Sequence, residues 1–91
     1  MSSYFNKYAY LIGFFLGYLD IFESNQDILN YFQKKPDEIP TCIDEISKLI
    51  NDDLLDWKIF IDEANIYFQS ETDFINFFNW LKAELIKISL E

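Results

Sequence analysis

Three carboxylates, Asp52, Asp56 and Glu63, lie close together in the chain. Oxygen donors of this kind can hold a hard cation, and two carboxylates can divide the work of general acid and base. Neither chemistry has the rest of its apparatus. The acids do not follow the Asp-x-Asp/Asn-x-Asp/Asn-Gly order of a calcium loop. The chain contains no His, so nothing can activate a Ser or Cys nucleophile as imidazole does, and zinc has no imidazole ligand. A single cysteine, Cys42, cannot form an internal disulfide or a thiolate cluster. It reads as a small, partly buried thiol in the first turn of a helix. No GxGxxG or GxxxxGK[ST] loop is present to cradle a nucleotide phosphate. The expectation is therefore no enzyme, no cofactor and no metal.

What remains is binding. Sixteen acids face seven Lys and no Arg, for a net charge of −9. Such a chain is repelled by nucleic acid and by anionic membrane, and its natural partners are basic proteins. The same charge would also keep a small apolar protein soluble, and charge alone does not separate the two explanations. The charge is uneven: from Asp20 to Asp73 there are fourteen acids and four Lys, a net of −10.

Ninety-one residues suit one domain, and 51% apolar residues supply its core. Val is absent and Gly and Pro number two each, which favours helices over strands. The fold class expected is all-α: a compact bundle of four or five helices, with a short extended connector at 65–69. The core is expected to contain Phe14, Phe15, Phe32, Ile46, Phe77, Phe78 and Leu81.

The first helix is expected over Tyr4–Leu19. Its run YAYLIGFFLGYL is too short for a membrane span of about twenty residues and lacks a signal-peptide cleavage site, so a buried core helix is expected. Gly13 and Gly17 lie on its one polar stripe and would let a neighbour approach the backbone closely. The second helix starts at Ser24 or Asn25, with Asp27 completing a capping box, and stops before Pro36. The third opens near Pro40 and buries Ile39, Ile43, Ile46 and Ile50, with Asp44, Glu45 and Lys48 facing away. The fourth is expected from Asn51 to Ala64. The fifth starts at Ser70 or Thr72 and buries Phe74, Phe77, Phe78, Leu81, Leu85 and Ile88.

The fourth helix carries two apolar faces, and a domain this small cannot bury both. Leu54, Trp57 and Ile61 form one. Leu55 and Ile59 form the other, among Asp52, Asp56, Asp62 and Glu63. An apolar centre inside a charged rim is how interfaces are built, and acidic charge would steer a basic partner onto it. Asp52, Leu55, Asp56, Ile59, Asp62 and Glu63 are accordingly the candidate partner-binding residues. The alternative is that Leu55 and Ile59 pack on another helix while Trp57 is partly exposed.

In its order of segments the chain resembles the small all-helical immunity proteins of bacterial contact-dependent growth inhibition systems. The features are an aromatic first helix with Gly17-Tyr18 followed by Asp20, and a second helix with Leu29 and Phe32. A Pro-led helix follows, PTCIDEISKLI, then the acidic DDLLDWKIFIDE, a connector IYF, and a last helix FINFFNWLKAEL. The resemblance spans nearly the whole chain. It implies a cytoplasmic protein that binds and blocks one cognate toxin domain without cofactor or catalysis; such toxins are often nucleases with basic substrate clefts. It carries over no interface residue. A bacteriocin-type immunity protein acting near the membrane, or an acidic antitoxin or regulator of another basic intracellular protein, would share the size and charge.

Overall fold

The computed structural model describes residues 4–18 and 24–90. They form six α-helices: α1 (Tyr4–Lys7), α2 (Ala9–Tyr18), α3 (Asn25–Lys34), α4 (Ile39–Ile50), α5 (Trp57–Ala64) and α6 (Glu71–Ser89). A single 3-10 turn, Pro36–Glu38, leads into α4. No strand occurs among the described residues. The radius of gyration, 12.6 Å, is close to the ~12 Å of a folded domain of this length. The expected end of the first helix at Leu19, and Asp20, lie outside the described residues.

The local signals explain the helix ends. Ser24 and Asp27 make the reciprocal capping box at the start of α3. Ser70 accepts from the Asp73 N–H at the start of α6. Pro36 removes a donor just past α3, where a helix could not continue. At the end of α5, Asn65 adopts the left-handed conformation (φ 57°, ψ 42°). The Ile66 N–H reaches back to the Ile61 carbonyl and the Asn65 N–H to that of Asp62, which closes a Schellman motif. Asn tolerates that backbone better than other non-Gly residues, so the connector at 65–69 begins there.

The core is a continuous run of rings. Phe14 stacks near Phe32 at 5.2 Å, Phe15 meets Phe78 at 6.0 Å, and Phe78 lies 5.1 Å from Phe74. Phe60 then joins Phe74 to Tyr8. Such offset and edge-on pairs add to the burial of the rings themselves. α6 packs most extensively on α4, presenting Phe74, Phe78, Leu81 and Leu85, all buried. Of the expected core residues, Phe14, Phe15, Phe32, Ile46, Phe78 and Leu81 are buried and Phe77 is half-buried.

Four local expectations are corrected. The first helix is broken at Tyr8, because Tyr10 and Leu11 donate their backbone N–H groups to Glu45; a continuous helix would send them to the carbonyls of Asn6 and Lys7. Glu45 therefore turns inward instead of facing away. Gly13 and Gly17 are exposed, and a Cβ at either would meet nothing within 4 Å, so no close approach requires them. The fourth helix starts at Trp57, not after Asn51.

Candidate functional site

The acidic segment opens with a turn, and the turn exists because its acids bond backbone. The Oδ1 atom of Asp52 accepts from the Leu54 N–H at 3.1 Å. Asp56 is the N-cap of α5, accepting from Lys58 N–H at 3.1 Å and Ile59 N–H at 3.3 Å. Short acids compete in this way with helix formation. Asp52, Leu55 and Asp56 consequently precede α5, whereas Ile59, Asp62 and Glu63 lie on it.

Several acids hold the N-terminal helices in place. The Oδ2 atom of Asp52 accepts from the Lys7 ammonium at 2.7 Å and from the Tyr8 hydroxyl at 2.8 Å. Its side chain is only 8% exposed. The Lys7 and then the Tyr8 hydrogen bonds hold its carboxyl below the usual range, against the opposing effect of burial. Tyr8 itself is pushed up, first by burial and then by Asp52. Glu63 accepts from the Tyr4 N–H at 3.1 Å, and the Asp56 N–H donates to the Tyr4 hydroxyl at 2.9 Å. The two oxygens of Glu45 take the Tyr10 and Leu11 N–H groups at 3.1 and 3.0 Å, at the positive end of α2. Glu38 accepts from the hydroxyls of Tyr10 and Tyr31 at 2.7 and 2.9 Å. Every buried side-chain N or O among the described residues has a partner.

A pH dependence follows. A depressed carboxyl stabilises the fold fully above its unfolded value of about 3.9 and loses that contribution as pH falls through its lower folded value. The protein is therefore expected to weaken below about pH 4, and Asp52→Asn to weaken less over that interval from a lower starting point. Urea titrations of both proteins at pH 7 and pH 2.5 check this; parallel losses would count against it.

No family model, curated protein or solved structure matches the chain. The site is thus read from its own geometry.

Of the six candidate residues, Asp52, Asp56 and Glu63 are already committed to internal hydrogen bonds. Leu55 is half-buried against the core. Ile59, at 48% exposure, and Asp62 face solvent. Beside them in sequence are Asp53, exposed, and Leu54, 92% exposed. A continuous helix would place Leu54 on the stripe with Trp57 and Ile61; the turn before α5 leaves it at the surface instead. Among the described residues no group of three or more His, Cys, Asp or Glu is placed to hold a metal ion. The Cys42 thiol is fully buried one turn into α4. Burial, then the charges of Glu45 and Glu38, push it up to about 12, so it stays protonated at neutral pH. No helix of the described residues is long and apolar enough to cross a membrane.

One groove brings acids and apolar surface together. It holds about 210 Å³ between the end of α4, the 51–56 turn and the start of α6. Leu49, Leu55, Trp57, Phe74 and Ile75 lie along it with Asp52, Asp53 and Glu71. A second hollow, about 370 Å³ and more open, is lined by Asn25, Phe68, Asp73, Asn76, Phe77 and Trp80. It carries a single carboxylate.

Proposed function

We propose that the protein is an immunity-type inhibitor that binds a basic toxin domain, a nuclease, and blocks it without catalysis. The observation that carries this reading is the pairing of surplus negative charge with exposed apolar side chains. After the internal hydrogen bonds are made, Asp53 and Asp62 remain at the surface near Leu54 and Ile59 in the chain. Exposed acids of this kind speed encounter with a basic surface. Leu54 and Ile59 supply exposed apolar side chains for contact. The overall resemblance to growth-inhibition immunity proteins points to the same role. An inhibitor of a nuclease acts where its nucleic acid is, in the cytoplasm, and competes with that substrate by charge.

The test has two stages. Affinity capture from the source cells should retain a protein with a basic domain. That domain, expressed alone, should arrest growth, and co-expression with this chain should restore it. Asp62→Lys should slow association several-fold at low salt and much less at 1 M salt, where the screening length falls to about 3 Å. A captured partner whose basic domain is harmless, or whose binding ignores Asp62 and Asp53 reversals alike, would sink the proposal.

A further inference from the structure

We infer that the groove between α4, the 51–56 turn and α6 receives one cationic side chain, arginine or lysine, presented by the partner; the inference rests on the basic-partner reading above. The lining has two parts. Leu55, Phe74 and Ile75 line it together with Asp53, Glu71 and Asp52, the last already paired with Lys7. A long basic side chain has the same two parts, an apolar stem and a charged head. The size agrees. About 210 Å³ is below the ~300–1,000 Å³ typical of small-molecule sites and suits a single inserted side chain.

The charge is complementary. No lysine lines the groove. The ion pairs among the described residues join Lys7 to Asp52, Lys48 to Asp44 and Lys87 to Glu84, which leaves Asp53 and Glu71 without a cation. Glu71 lies in the first turn of α6, at the positive end of the helix dipole. Trp57 also lines the groove, with the Lys58 ammonium already 6.0 Å from its ring. A guanidinium or ammonium entering the groove would meet the Asp53 and Glu71 carboxylates, with its stem against the apolar side chains.

The test uses the full-length ¹⁵N-labelled protein and N-acetyl-arginine amide at millimolar concentration. N-acetyl-citrulline amide, of the same shape without the charge, is the control. Shifts should concentrate on the amides of Asp53, Leu55 and Glu71 and on the Trp57 indole, and be at least about tenfold weaker with citrulline. The double variant Asp53→Asn/Glu71→Gln changes two exposed side chains; it should melt like the parent and bind the arginine amide at least about fivefold less. Equal shifts with citrulline, shifts centred on Ile59 and Asp62, or none at all would overturn the groove assignment. So would sedimentation showing a dimer that the double variant dissociates, since the occupant would then be a second copy. The basic-partner reading is judged separately, by growth rescue, and survives a failed groove if rescue holds.

Discussion

Phe60→Ala is expected to cost about 3–5 kcal/mol of stability, while Ile59→Ala, one residue away, costs several-fold less. Phe60 is fully buried. Its ring lies 5.7 Å from Phe74, 5.8 Å from Tyr8 and 6.1 Å from Phe78, so it joins α5 to both α6 and the N-terminal helices. Truncating a buried Phe costs about 3–5 kcal/mol. Small domains hold only about 5–15 kcal/mol in all, and each kcal/mol shifts the melting temperature by about 4–8 °C at this size. The fall should therefore be roughly 12 °C or more. Ile59 is 48% exposed and should stay within about 1 kcal/mol of the parent. Thermal melts decide it. Comparable losses at both positions would mean that Ile59 belongs to the core and is unavailable to a partner. Leu55, half-buried, should fall between the two.

Glu45→Ala should be the most costly loss of a single charge. Both carboxylate oxygens accept backbone N–H groups at the start of α2. Hydrogen bonds to charged groups contribute about 1.5–3 kcal/mol each. The two share one side chain and are not additive, so about 2–4 kcal/mol is expected. Asp44, its neighbour, makes an i,i+4 pair with Lys48 in which the side chains are 63% and 62% exposed. Pairs of that kind contribute about 0.3–0.5 kcal/mol at most. Denaturant titrations of Glu45→Ala and Asp44→Ala should differ by several-fold. Equal effects would show that Glu45 is a surface charge and that α2 starts without its help.

That contrast marks how far the chain could be read from its residues. α3, α4 and α6 were legible because their signals are local: Ser24 with Asp27, Pro36 and Pro40, Ser70 with Asp73, and apolar positions at helical spacing. α5 was drawn too long because DDLLDW scores as helix by periodicity, while the bonds that unwind it join Asp52 to Leu54 and cap α5 with Asp56. Asp56, directly in front of Trp57, is the kind of residue that caps a helix, but it sits within the Leu54–Trp57–Ile61 stripe, whose helical spacing runs straight through it. The break at Tyr8 had no local signal. Its cause is Glu45, 34 and 35 residues away, and no periodicity reports so distant a bond. Asp52, Asp56 and Glu63 each accept a hydrogen bond within the fold, a role that their charge alone does not reveal in the sequence.

The stitching of the first two helices by later acids sets an order of events during synthesis. Tyr8, Leu11, Ile12, Phe14 and Phe15 leave the ribosome early, yet the groups that cover them arrive late. Glu45 anchors α2, Asp52 anchors Tyr8 and Glu63 anchors α1, and Phe78 closes over Phe15 near the end of the chain. At about 5–20 residues per second, the sixty-odd residues between Phe15 and Phe78 take roughly 3–13 s to make. Throughout that interval the most apolar stretch of the chain has no finished surface to rest on. A nascent chain stalled before Glu45 would present an aggregation-prone segment, and a holdase that grips YAYLIGFFLGYL would be competing with residues not yet translated.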